Sequence, residues 1–203
     1  MLEEQRVRGI LITQVHGSAP AIKGIRDRGT PVVLLDRPGP PGHCSVAVDD
    51  RRGAYHAVIR AGLDPAAVLT EISVPAMNTP CGAQAADEIR APGRYGPGVP
   101  TAAFCTNDLL ALGLLRRLSQ LGAQVPGDLA IVGYDDIDFA ADSAVPLTSI
   151  RQPKYELGQT AAQLILEEAD APAEHEHRRF VFTPELVTRA SSQPGASSAD
   201  ATN

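Results

Sequence analysis

The chain is predicted to be an α/β protein built on doubly wound parallel sheets. Three observations carry this. Short apolar runs alternate along the chain with stretches of helical periodicity, the order of β-α-β units joined by right-handed crossovers. Several runs are apolar at consecutive positions, as in PVVLLD at 31–36, which is the pattern of strands covered on both faces. The clearest helical stretch also carries its own start and stop signals, Asn107 before it and Gly122 after it.

Taken in order, residues 7–13 (VRGILIT), 31–36 and 44–49 (CSVAVD) read as strands, and so do 71–75, 102–106, 129–134 and 148–152. The helix between Asn107 and Gly122 is expected over 108–121, with Ala111, Leu112, Leu115 and Leu118 lining one side. Leu157, Ala161, Leu164 and Ile165 follow i, i+4, i+7, i+8 spacing and predict a second amphipathic helix. Residues 51–61 and 81–91 are shorter helical candidates. The Gly and Pro density of 91–100 (APGRYGPGVP) marks a loop. Residues 171–177 read as a polar, exposed loop, and 193–203 as a disordered tail. No internal repeat is found.

Composition bounds the function. With 203 residues, 43% of them hydrophobic and 21% charged, there is apolar area for the core of one or two domains. Aromatics are 4% and Trp is absent, so Leu, Val, Ile and Ala must build that core. The net charge of −6, with no dense basic run, gives these residues no electrostatic footprint for phosphates. Cys44, Cys81 and Cys105 are few, odd in number and far apart, so neither a disulfide framework nor a Cys-x-x-Cys metal site follows. Cys105 reads as a small core residue. The first residues, MLEEQRVRG, lack the apolar stretch of a secretory signal, and no run approaches membrane-spanning length. A cytoplasmic location with no membrane partner is expected.

Two strands end in polar pairs, Asn107-Asp108 and Asp135-Asp136. The carboxyl ends of neighbouring strands are where open α/β sheets bind small ligands. Asp135 is the leading candidate, because a carboxylate there can accept charge-assisted hydrogen bonds from ligand hydroxyls; a turn role would also suit it. Asn107 and Asp108 could contact the same ligand, although capping the following helix would fully occupy the Asn107 side chain. Asp50 follows Asp49 after CSVAVD and is either a helix cap or a ligand contact. Met77, just past the strand candidate at 71–75, either lines the site or fills a core gap.

Other patterns are read as inert. His175 and His177 (EHEHRR) could form a local metal pair, but no third ligand is evident and the charged surroundings suggest a solvated loop, so no metal is predicted. His43 and Cys44 are adjacent, and neighbours on a strand point to opposite faces, which disfavours a nucleophile–base dyad. Gly93, Gly96 and Gly98 are followed by no Lys-Ser/Thr and open no helix, so they form no phosphate loop. Neither GxSxG nor HExxH occurs. No catalytic residue and no cofactor is predicted.

From residue 101 to about 192 the chain resembles the C-terminal part of LacI-type bacterial transcription regulators. The residues that carry the likeness are FCTNDLLALGLLRRL, VPGDLAIVGYDDI, PLTSIRQP with GQTAAQLIL behind it, and TPELVTRAS. VRGILIT, GTPVVLLDRPG and VAVDDRRGAYHAV follow in the family's order over the first 60 residues. The resemblance implies a two-subdomain, periplasmic-binding-protein-like (type I) fold joined by three crossing strands. A small effector, a sugar or nucleobase, would bind in the cleft, with Asn107 and Asp135 at effector-contacting positions. It also implies a homodimer that reaches operator DNA only through a helix-turn-helix, which these residues do not include.

Mapped onto this chain, 1–60 and 147–172 would form the N-terminal subdomain, and 61–146 with 178–190 the C-terminal one. Two departures from the family pattern stand out. The first strands of the N-terminal subdomain are not found before LEEQRV. The segment that begins AYHAVI at residue 54 runs straight into AGLDP, where the family has a strand, a loop and most of a helix. Strands stripped of neighbours expose apolar edges. The N-terminal remnant is therefore expected to be poorly ordered or to pair with another chain. A solute-binding protein of the same fold, and a fragment acting only by pairing with longer relatives, are the competing readings.

Overall fold

The computed structural model describes residues 7–13, 19–53, 70–91 and 100–193. They form two α/β units. One comprises the described residues up to Asp49 with Gln152–Pro184; the other runs from Asp50 to Arg151 and resumes at Glu185. The chain therefore passes between units three times. The expected loop at 91–100, the end of the helix expected at 51–61, and the tail lie largely outside the described residues.

The first unit holds a four-stranded, wholly parallel sheet in the order β1-β2-β3-β7, from β1 (Ile10–Thr13), β2 (Val32–Leu35), β3 (Cys44–Val48) and β7 (Arg179–Phe182). The consecutive apolar residues of β2 and β3 are buried, as doubly covered strands require. Helix α1 (Ala19–Arg26) places Ile22 against Val32 and Leu34 on one face. On the other face the long helix α5 (Lys154–Asp170) sets Ala161, Leu164 and Ile165 against Val33, Cys44 and Val46, with Leu157 partly buried beside them.

The second unit holds the sheet β4-β5-β6-β8, from β4 (Ala102–Phe104), β5 (Ala130–Tyr134), β6 (Thr148–Arg151) and β8 (Glu185–Val187). Its first three strands are parallel and β8 is antiparallel to β6. Helices α2 (Thr79–Ile89) and α3 (Asp108–Gln120) pack together, and α3 buries Leu110, Ala111, Leu114, Leu115 and Leu118. A short helix α4 (Asp138–Ala141) follows β5. The α3 terminus is built as its residues dictate: Leu121 caps it, Gly122 turns at φ +76°, and Ala123 N–H donates to the Leu118 carbonyl.

Four expectations are corrected. Residues 71–75 form no strand: Ile72 and Val74 are half-buried, but no ladder pairs them among the described residues. Leu112 lies at the margin of the α3 face, which centres instead on Leu114 and its neighbours. The third correction concerns two strands. The expectation put 147–172 with the first unit and 178–190 with the second. Instead β6 extends the second sheet beside β5, and β7 extends the first beside β3. Finally, the N-terminal remnant is not bare, because Arg179–Phe182 supplies a fourth strand that covers the β3 edge.

Candidate functional site

The polar pairs expected at the strand ends come together in the second unit. β4 and β5 are parallel neighbours with Phe104 level with Val132. Asn107 follows three residues after the end of β4, and Asp135 comes directly after β5. Asn107 Oδ1 accepts the Leu110 N–H at 2.9 Å, so the residue caps α3, while its Nδ2 donates to the Met77 carbonyl at 3.1 Å. That second bond fixes Met77 beside Asn107, with the methionine residue 62% exposed.

Asp108 faces the opposite way. It is 1% exposed, and both oxygens are engaged: Oδ1 accepts from Ser149 Oγ at 2.6 Å and Oδ2 from the Ile137 N–H at 2.9 Å. Burial pushes its carboxyl above the usual range despite these two bonds. Asp108 thus ties the α3 start to β6 and to the segment after β5, with no oxygen left for a ligand. Burial also pushes the nearby Cys105 thiol up, to about 12, with the Asp108 charge adding to the effect. That thiol is inert packing.

Asp135 and Asp136 close β5 with positive φ values of 103° and 48°. Non-glycine residues avoid this region, and such strain collects at ligand sites. The Asp135 N–H donates to the Ile150 carbonyl at 2.9 Å, holding its half-exposed side chain at the sheet edge. Asp136 turns back into the protein, where its carboxylate pairs with Arg189 and with Arg151, each at 2.7 Å. Burial alone would raise its pKa; the two guanidiniums overcome that and hold it below the ordinary value. Its backbone N–H takes Ser149 Oγ as acceptor at 3.1 Å. Asp50 is exposed and accepts from the hydroxyl of Tyr134, the last residue of β5.

Ser149, Arg151 and Arg189 were missed by sequence reasoning. Ser149 sits at a buried strand position, and the two arginines carry no local pattern that points to Asp136. The 490 Å³ hollow in the first unit is lined by residues such as Ile22, Lys23, Leu34 and Pro40, and by none of the expected ligand residues. Residues 172–174, 176 and 177 are exposed, as expected of a polar loop, but His175 is not solvated. The His175 side chain is 4% exposed and packs against the Cys44 thiol, which reaches it from β3. Among the described residues no helix is long and apolar enough to cross a membrane.

Comparison with known proteins agrees with this architecture. Residues 30–192 match the periplasmic binding protein-like domain. The chain is 48% identical over 90 residues to the HTH-type transcriptional repressor PurR of Vibrio vulnificus, a stretch that covers 44% of this chain and 27% of the relative. It is 45% identical over 92 residues to PurR of Aliivibrio fischeri, again 27% of that protein. The chain thus spans about a quarter of the length of the curated relatives it matches. A LacI family transcriptional regulator from Enterococcus faecalis, solved with bound ribose, superposes with a TM-score of 0.80 at 28% identity, covering 95% of this chain and 80% of that one. A complex of the transcriptional regulator CelR with cellobiose gives 0.74 at 26% identity, covering 94% and 68%.

Proposed function

The chain belongs to the periplasmic binding protein-like domain family in the form found in LacI-type regulators, and from that premise we propose that it is the effector-sensing part of a transcriptional regulator. The effector is a small hydroxylated molecule, a sugar before a nucleobase. The observation that carries this reading is Asp135, directly after β5 and held in a strained backbone conformation, with β4, the strand that leads to Asn107, as the parallel neighbour of β5. Acceptors dominate that edge, so they suit a neutral ligand rich in hydroxyl donors. Asp135 contacts the ligand. Asp50 and Met77 border it, Asn107 positions Met77, and Asp108 is a positioning residue that holds the edge together through Ser149.

The relatives named above are repressors and regulators, and two of the matched structures contain ribose or cellobiose. They support a cytoplasmic protein that works as a homodimer and changes its affinity for operator DNA when the effector binds. Operator contact belongs to a separate helix-turn-helix, since an acidic domain of net charge −6 gives phosphates no attractive surface.

A thermal-shift screen with pentoses, hexoses, disaccharides and nucleobases tests the proposal. A ligand at about 100 times its Kd stabilises the folded state by about 2.7 kcal/mol, which for a chain of this size is a shift of roughly 5–10 °C. One class of compound should give that shift, and D135N should abolish it. If no compound shifts the wild type, or D135N responds as the wild type does, the reading fails.

A further inference from the structure

The first unit gathers four metal-ligating side chains that the effector site does not use. Cys44 opens β3 and is fully buried. Glu168 lies in the last turn of α5, and His175 and His177 lie on the connection from α5 to β7. One ligand atom from each of the four lies within 4.8 Å of all the others. Cys44 Sγ is 3.1 Å from His175 Nε2 and 3.7 Å from His177 Nδ1, and His175 Nε2 is 4.0 Å from Glu168 Oε2. A tetrahedral zinc ion with bonds of about 2.3 Å to sulfur and 2.0–2.1 Å to nitrogen separates those ligand atoms by about 3.5 Å. The observed separations bracket that value.

Independent features point to a cation here. Glu168 Oε2 is buried without a hydrogen-bond partner among the described residues, on a side chain only 12% exposed. A buried acceptor left unsatisfied is costly, and a cation would remove the cost. The Arg178 N–H donates to Cys44 Sγ at 3.4 Å, which aims the sulfur at the histidine pair. Thiolate and carboxylate together offset a dication, with two neutral imidazoles completing the set.

We propose that Cys44, Glu168, His175 and His177 bind one divalent transition-metal ion of zinc-like softness. Four protein ligands of mixed sulfur, nitrogen and oxygen make a closed site, which is the structural kind. It fastens the α5–β7 connection to the amino end of β3. The thiol proton leaves to solvent as the metal–sulfur bond forms.

Arg26 sets the affinity. Its guanidinium lies 3.0 Å from His177 Nε2, which must act as the acceptor there. With Nδ1 on the metal, Nε2 carries the proton and can no longer accept. Metal and Arg26 therefore compete for this ring.

The test uses the whole 203-residue chain, stripped of metal by chelator. It is titrated with Zn²⁺ by calorimetry and with Co²⁺ by absorption. One equivalent of zinc should bind and raise the unfolding midpoint. The cobalt form should show a thiolate-to-metal charge-transfer band that C44S lacks. H177Q should weaken zinc binding about tenfold or more, since even changes behind a ligand cost 10–100-fold, and R26Q should tighten it. The exposed His177 ring makes H177Q decisive even if C44S fails to fold. Absence of saturable zinc binding, a cobalt band that survives C44S, or unchanged affinity in H177Q overturns the proposal. Equal or weaker binding in R26Q overturns the assignment of His177 through Nδ1.

Discussion

The buried carboxylate of Asp108 rests directly on Gly133. A Cβ added at Gly133 would stand 2.1 Å from Asp108 Oδ1 and 3.1 Å from the Leu147 side chain. The glycine of the GYDD stretch is therefore required by the aspartate of the TND stretch, which opens α3. Asp108 cannot retreat, because Ser149 and the Ile137 N–H hold its two oxygens. G133A should cost about 3 kcal/mol through overpacking and broken buried hydrogen bonds, read as a lower midpoint in thermal or urea unfolding. A midpoint within error of wild type would show that Asp108 has room to move.

Asp108 and Asp136 both bond to Ser149 yet titrate in opposite senses. The folded-state pKa of Asp136 is depressed by Arg189 and Arg151 against the pull of burial. Its contribution to stability is therefore present above its unfolded value, about 3.9, and is lost as pH falls through the folded value. Asp108 is raised by burial, so its contribution runs the other way: stability declines as pH rises from about 3.9 through its folded value. The Asp136 side chain is 6% exposed and that of Arg189 17%. D136N strands Arg189 and should cost about 3 kcal/mol at pH 7. The gap from wild type should narrow as pH falls below about 4. Unfolding curves from pH 3 to 7 check it; a gap independent of pH would rule out the ion pair as the cause.

Helices α2 and α3 touch backbone to backbone. A Cβ on Gly82 would lie 2.1 Å from the Leu110 carbonyl oxygen, and one on Gly113 would lie 2.1 Å from that of Thr79. The two contacts are reciprocal, three residues apart on each helix. G113A should push the helices apart and loosen Ala86, Leu114 and Leu115 in the core, at about 3 kcal/mol. G158A is the opposite case. Gly158 lies inside α5 with open space where its Cβ would go, so alanine there should stabilise by about 0.5–1 kcal/mol through helix propensity. Midpoints that move in the same direction for both variants would contradict the packing.

Local signals account for what could be read in advance, and distance in sequence for what could not. The start and end of α3 were legible because Asn107 and Gly122 act on their own neighbours. The α5 face was legible for the same reason. Which sheet receives β6 and which receives β7 depends on pairing with strands far away, and the apolar residues of TSIR and RFVF carry no address. EISVP at 71–75 has half-buried alternation but no partner strand in the described residues, so propensity there misleads. The site divides similarly. Asn107 and Asp135 follow strand ends, which is the local rule that proposes them. Arg189 reaches Asp136 from 53 residues on, and Cys44 meets His175 across 131. A histidine pair weighed only against its sequence neighbours looks solvated, because the thiol and the carboxylate that complete the group come from another strand and a helix.

Asp135 offers the sharpest separation of binding from folding. Its φ of 103° lies where glycine is at ease and an aspartate is not. Residues held in such regions cost about 1–3 kcal/mol and persist where function selects them. D135G should relieve that strain and raise the unfolding midpoint of the ligand-free protein by roughly 2–4 °C, the shift expected for about 1 kcal/mol in a chain of this size. The same substitution removes the carboxylate proposed to accept the effector's hydroxyls, so the ligand-induced shift should vanish. D135N keeps the strain and loses the charge, and should leave the ligand-free midpoint near wild type while also abolishing the response. A midpoint that falls in D135G would show that the side chain stabilises the fold by more than the strain costs, and the turn reading of Asp135 would then displace the ligand reading.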